Sequence, residues 1–271
     1  MELIELMEEK TQHSAPRAEI GNILPIHNNM IAIASGKPGV GKTWFAITLA
    51  SALGSIKQKI LFFDGDLGLS NIDIQLGLAT PHDLSCVVTG NTTLNQIIKY
   101  SDKAHFDIIS GRGGSQRLAS MPLGRLQILA EDLSLLSTGY DKVLLDMCAG
   151  ANKASLTLSG MAGKMIVLCT DEPSALTDAY ALIKVMSTQY PDCQIYVVIN
   201  QADSVQEGQR TYDILRKACH NFLDFSPPLL GIVRRDARIR DTIRNQMPLL
   251  SRYPASDAAV DVINIARKLL Q

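Results

Sequence analysis

Residues 31–44 read IAIASGKPGVGKTW, and the fold follows from how that run is punctuated. Small and apolar residues give way to Gly36-x-x-x-x-Gly41-Lys42-Thr43 and then to an apolar stretch opening on Trp44. That is a buried strand turning through glycines into a helix, the setting a phosphate-binding loop requires. Gly36, Gly39, Val40 and Gly41 form the loop, whose backbone N–H groups turn inward around a β-phosphate. Lys42, Thr43 and Trp44 follow at the positive end of the helix. Lys42 reaches the β- and γ-oxygens, and the Thr43 hydroxyl ligates Mg²⁺.

Outward from the loop, short apolar runs recur at 30–34, 60–63, 106–109, 143–145, 165–169, 195–199 and 229–233. They are continuous rather than alternating, as strands covered on both faces are. Helix-length stretches with apolar residues three and four apart lie between most of them, at 44–53, 123–136, 174–189 and 205–222. Such spacings supply the crossovers that parallel neighbours need. The pattern predicts one α/β domain over residues 28–271, a doubly wound, mostly parallel sheet of about seven or eight strands with helices on both faces. Residues 1–27, with an acidic start and a polar, proline-containing middle, read as a mobile N-terminal arm; its first ten residues place Leu3, Ile4 and Met7 on one stripe that could dock a partner.

Composition narrows the function. The 271 residues are 46% apolar and carry 26 Lys+Arg against 27 Asp+Glu, a net charge of −1. No global positive field draws such a chain onto nucleic acid or anionic lipid, so DNA is an unexpected partner. No apolar run has the length of a membrane span, and MELIELMEEK lacks the basic start of a signal peptide, which points to the cytoplasm. Five widely spaced cysteines without a Cys/His cluster argue against a disulfide framework or a zinc site.

Three further stretches end strands with chemistry. Residues 63–71 read FDGDLGLSN, with Asp64 and Asp66 where a strand meets the ligand-binding edge of an open sheet. Residues 143–150 read VLLDMCAG, an apolar strand closed by Asp146, whose carboxylate would hold Mg²⁺ through water, with Gly150 placing an amide near a γ-phosphate. Asn200 closes IYVVIN. It serves either a strand-end turn or a base edge, to which its amide can donate and accept. The run GIVRRDARIRDTIR sets Arg234, Arg235, Arg238, Arg240 and Arg244 among Asp236 and Asp241, and reads as a salt-bridged helix face more than as a DNA or partner-protein patch.

The loop with Lys37 directly after its first glycine resembles the deviant Walker A group, the MinD/ParA-type ATPases, whose pattern is KGGVGKT. Residues 64–78 resemble the DADLGLANVDVLLGL run of that group's flagellar-number regulator branch (FlhG/FleN/YlxH-like), and TDEPSALTDAY at 170–180 resembles its TPEPTSLTDAY. The resemblance spans roughly residues 28–270. It implies a P-loop NTPase fold, ATP and Mg²⁺ as ligands, and slow, Mg-dependent, dimer-coupled hydrolysis. Lys37 would cross to the partner subunit's nucleotide in an ATP-bound homodimer. Asp64 would approach Mg²⁺ through water alongside Thr43 and Asp146, and Asp66 would orient the attacking water, so that Lys37, Lys42 and Asp66 carry catalysis. Glu172 would reach the opposite ribose and Asn200 the adenine.

The chain departs from that pattern at Pro38, usually Gly, and at Met147 and Cys148, usually Thr and Gly. Pro38 offers no N–H and biases Lys37 toward an extended backbone. The implied partners are a flagellar assembly or regulatory protein, either a signal-recognition-type GTPase or a transcription regulator, with recruitment to the cell pole or inner membrane through it. MELIELMEEK does not match the DQAxxLR motif that often opens the branch. A second reading is a ParA-type DNA-partition or cargo-positioning ATPase, and a third an ATP-dependent ligase of the dethiobiotin or cobyrinate diamide synthase kind. The last stretch, 256–271, reads as a core helix striped by Ala259, Val262, Ile263, Ala266, Leu269 and Leu270 rather than as an appended membrane helix.

Overall fold

A computed structural model describes residues 24–67, 71–78, 82–111 and 121–271. The expected N-terminal arm therefore lies, up to residue 23, outside the described residues. Eight strands form one sheet: β1 (His27–Ala34), β2 (Ile60–Gly65), β3 (Lys99–Ser101), β4 (Phe106–Ile109), β5 (Lys142–Met147), β6 (Ala162–Cys169), β7 (Gln194–Ala202) and β8 (Leu229–Arg234). Their order across the sheet is β3-β4-β2-β5-β1-β6-β7-β8. Every pair is parallel except β3 with β4. The seven apolar runs are seven of these strands. β3, whose sequence is KYS, has no apolar run to announce it.

The strands are apolar throughout because both faces are covered. Ile31, Ile33, Phe62, Phe63, Leu144, Ile166 and Val198 are each at most 1% exposed, and every such side chain taken from water contributes roughly 1.5–3 kcal/mol. The longer helices are α1 (Lys42–Ser55), α5 (Leu123–Ser137), α6 (Lys153–Gly160), α7 (Pro173–Gln189), α8 (Val205–Leu223) and α11 (Asp257–Leu269). Short helices α2 (Ile72–Leu76), α3 (Leu84–Val88) and α4 (Leu94–Ile97) lie between β2 and β3, and α9 (Arg238–Arg244) and α10 (Leu249–Arg252) follow β8.

α1 is buried continuously from Trp44 to Leu53, since it lies between the sheet and α11. The apolar stripe of α11 consists of Ala258, Ala259, Val262, Ile265, Ala266 and Leu269. Leu270, placed on that stripe by its sequence spacing, is exposed instead, because the helix stops at Leu269. No helix among the described residues is long and apolar enough to cross a membrane.

The sheet's borders are closed differently. At one, β3 is three residues long and antiparallel. At the other, side chains of α11 take up backbone groups of β8: Lys268 Nζ donates to the Leu230 carbonyl at 2.9 Å, and Asp261 Oδ2 accepts the Arg234 N–H at 3.0 Å.

Candidate nucleotide site

The carboxyl ends of β1, β2, β5, β6 and β7 meet at one place. β1 runs into the loop of Ser35 to Gly41, in which Gly39 and Gly41 take φ of 86° and 89°. Only glycine holds that left-handed backbone without strain. Gly41 caps α1 without a side-chain hydrogen bond, so the first amides of the helix, at Lys42, Thr43 and Trp44, are left for an anion. Gly36 packs so tightly under α7 that a Cβ there would lie 2.2 Å from the Asp178 carbonyl.

Lys42 Nζ lies 2.7 Å from Asp146 Oδ1, with both side chains buried. Burial alone would lower the ammonium's pKa, but Asp146, with Asp66 and Asp64 behind it, holds it above its usual range. Asp64 stands directly beside Asp146 in the register of β2 and β5, one strand spacing of about 4.8 Å away. The Asp66 N–H donates to Asp64 Oδ1 at 3.2 Å. Three acids thus converge on one lysine. The second oxygen, Asp146 Oδ2, is buried without a hydrogen-bond partner. The Gly150 N–H donates to the Ser35 carbonyl at 2.8 Å, tying the run after β5 to the start of the loop.

This chemistry fits Mg²⁺ bound with a triphosphate. An orphaned carboxylate oxygen and the Thr43 hydroxyl are hard oxygen donors, and the loop amides and Lys42 would answer the phosphates. Among the described residues no group of three or more His, Cys, Asp and Glu is placed to hold a metal by itself, so most of the coordination would come from phosphate and water.

Lys37 and Glu172, both assigned by resemblance to a partner subunit, meet each other within one chain. Lys37 Nζ pairs with Glu172 Oε2 and donates to Ser174 Oγ at 2.8 Å. The Lys37 carbonyl accepts Ser35 Oγ at 2.9 Å. Asn200 also works inside the chain. Its Nδ2 donates to the Val40 carbonyl at 2.7 Å, while Oδ1 is buried and unpartnered. Gln201 Nε2 adds a bond to the Gly39 carbonyl at 3.3 Å. Val40 and Trp44 are buried, and the Trp44 Nε1 has no partner.

Ser35, Ser174 and Gln201 are absent from the sequence reading, because nothing in their local spacing marks a contact made across the fold. Two members of the arginine run pair with acids outside it, while Arg238 lies 4.0 Å from Asp236 within it. Arg234 binds Asp257 and Asp261 of α11, and Arg235 binds Asp203. Asp241 is taken by Arg252 and Tyr253.

The fold and the loop define a class: α/β nucleotide-binding proteins that hold phosphate on a glycine loop. Residues 31–249 match the CobQ/CobB/MinD/ParA nucleotide binding domain. The chain belongs to that family, as an ATPase of the MinD/ParA type that resembles the flagellar regulators. It is 29% identical over 251 residues to the antiactivator FleN of Pseudomonas aeruginosa, covering 93% of this chain and 89% of that one. It is 28% identical over 222 residues to the flagellum site-determining protein YlxH of Helicobacter pylori, covering 81% and 74%. In three dimensions it matches the septum site-determining protein MinD of Pyrococcus horikoshii, solved with Mg-ADP, with a TM-score of 0.76, 24% identity and coverage of 90% and 96%.

Proposed function

We propose that the chain is an ATP-dependent dimerising switch that regulates flagellar number or placement through a partner protein. The observation that carries the reading is the convergence of Lys42, Asp146, Asp64 and Asp66 at an uncapped glycine loop. Relatives named as a flagellar antiactivator and a flagellum site-determining protein supply its biological direction.

In this reading the amides from Gly39 to Thr43, with Gly36 allowing the loop its tight seat, hold the phosphates, and Lys42 leaves Asp146 for the β/γ-oxygens. Thr43, Asp64 and Asp146 would hold Mg²⁺, the latter two through water. Mg²⁺, when bound, neutralises the charge that develops on the phosphates. Asp66 orients the attacking water. Asn200 faces the adenine, and Trp44 closes the site at the start of α1. Lys37 and Glu172 exchange their mutual contact for the opposite subunit's nucleotide, so hydrolysis is slow and coupled to the homodimer. Residues 28–271 form the ATPase domain and residues 1–27 an arm. The protein acts in the cytoplasm, and a partner such as a signal-recognition-type GTPase or a transcription regulator recruits one nucleotide state to the pole or inner membrane. Arg234 and Arg235 are engaged with Asp203, Asp257 and Asp261 of the same chain, which favours this reading over DNA partition.

Weighing the protein by light scattering in Mg-ATP and in Mg-ADP, alongside turnover per subunit against concentration, tests the switch. A dimer in ATP alone, with turnover rising as it forms, is the expected result. Turnover independent of concentration across the monomer-to-dimer range would overturn it.

A further inference from the structure

We propose that Gln201 is a positioning residue for the phosphate loop, acting through a bulge that turns two successive side chains of β7 onto that loop. The inference rests on the reading of the loop as the nucleotide site. In a regular strand, neighbouring side chains leave on opposite faces, so Asn200 and Gln201 could not both meet one loop. Here they do, bonding the Val40 and Gly39 carbonyls respectively.

The alternation breaks where the register of β7 against β8 shifts, between Ile199 and Ala202, and where Gln201 takes φ of 59°. Bulges re-aim side chains in this way beside functional sites. A left-handed backbone is disfavoured for glutamine and persists where its surroundings hold it. Here the strand is pinned just beyond, by the Arg235 N–H on the Ala202 carbonyl at 2.8 Å.

The effect on the loop follows from peptide geometry. In a planar trans peptide the carbonyl of one residue and the N–H of the next point in opposite directions. Drawing the Gly39 carbonyl toward Gln201 turns the Val40 N–H away from β7, and drawing the Val40 carbonyl toward Asn200 does the same for the Gly41 N–H. Two successive peptide planes are thereby set with their amides facing away from the braces. Pro38 makes this orientation matter more, because it contributes no N–H of its own. Asn200 is buried and Gln201 only partly so, which leaves Gln201 as the brace that can be altered without opening the core.

Gln201→Gly separates the two roles of the position. Glycine accepts the positive φ without strain, so the variant is expected to melt at or above the native temperature while its Kd for ATP and for ADP rises three- to tenfold. Gln201→Glu, nearly isosteric, sets a carboxylate against the Gly39 carbonyl and is expected to weaken both nucleotides at least as much. Titration with a fluorescent ATP analogue and thermal melts of the full chain read both quantities. Gln201→Gly binding ATP within twofold of native, or losing affinity only together with a clear fall in melting temperature, overturns the brace. Lys42→Ala, run in parallel, isolates the underlying reading: if that variant binds ATP normally, the loop is not the nucleotide site, whatever Gln201 does.

Discussion

Lys42 is bound to Asp146, and the proposed function gives both residues a second task at the nucleotide. Lys42→Ala should abolish ATP binding, since no other loop residue places a cation on the β/γ-phosphates. It also strands the Asp146 carboxylate in the interior, a change of the kind that destabilises by about 3–5 kcal/mol. Because the Lys42 pKa is raised, the pair's contribution is fully present below the unfolded lysine value, about 10.4, and is lost only as pH rises through the higher folded value. The gap in melting temperature between native and Lys42→Ala should therefore stay level from pH 6 to pH 9. A gap that closes between those limits would contradict it. At Pro38 the expected change is in kinetics. Its missing N–H lies upstream of the amides from Gly39 to Thr43, so Pro38→Gly should alter ATP affinity by less than about tenfold, roughly 1.4 kcal/mol. The same change frees the backbone that presents Lys37, and turnover against protein concentration should shift.

Among elements, β5 and the turn after it carry the testable contrast. Cys169, Cys193 and Cys219 are buried, and desolvation pushes each thiol up to about 12. At pH 8 they are protonated and out of reach. Cys86 and Cys148 are partly exposed. A thiol reagent should therefore modify two of the five cysteines in the native chain and all five after unfolding. Cys148 lies two residues after Asp146 and two before Gly150, which is bonded to Ser35. Mg-ATP should accordingly slow its modification about fivefold or more and leave Cys86 unaffected, measured by mass spectrometry of labelled peptides. Equal rates for Cys148 with and without nucleotide would place that turn away from the ligand.

The same contrast explains what was legible in advance. A strand buried on both faces writes its position as an apolar run, and a loop that needs glycine at φ of 86° and 89° writes glycine. Seven strands and the loop were therefore readable. β3 and the short helices α2 to α4 have too few residues to set a period. The partners of Arg234 were not readable because Asp257 and Asp261 lie on α11, a separate element. Gln201 was invisible for a related reason. Its contact depends on a bulge, which leaves no trace in residue spacing.

The whole molecule presents its acids, its loop and the Lys37–Glu172 pair along one edge of the sheet, and the proposed switch has to act there. Asp66→Ala should keep ATP binding and lose hydrolysis, because it removes water positioning without touching the loop. The ATP-bound dimer should then persist for hours, as read by light scattering after excess nucleotide is removed. A variant that turns over ATP at the native rate would strip Asp66 of that role. Association should also depend little on salt between 50 and 200 mM, given a net charge of −1 and the pairing of Arg234 and Arg235 with acids of the same chain. A steep decline would point to electrostatic binding.

The side chains that Lys268 and Asp261 lay along β8, and the stub of β3 at the far border, have a bearing on crowding in the cell. Open sheet borders template the addition of further strands and let copies accumulate without limit. Among the described residues neither border invites a newcomer, so local enrichment by a partner need not seed fibres, and in the proposed homodimer growth has nowhere to continue once two nucleotide edges have met.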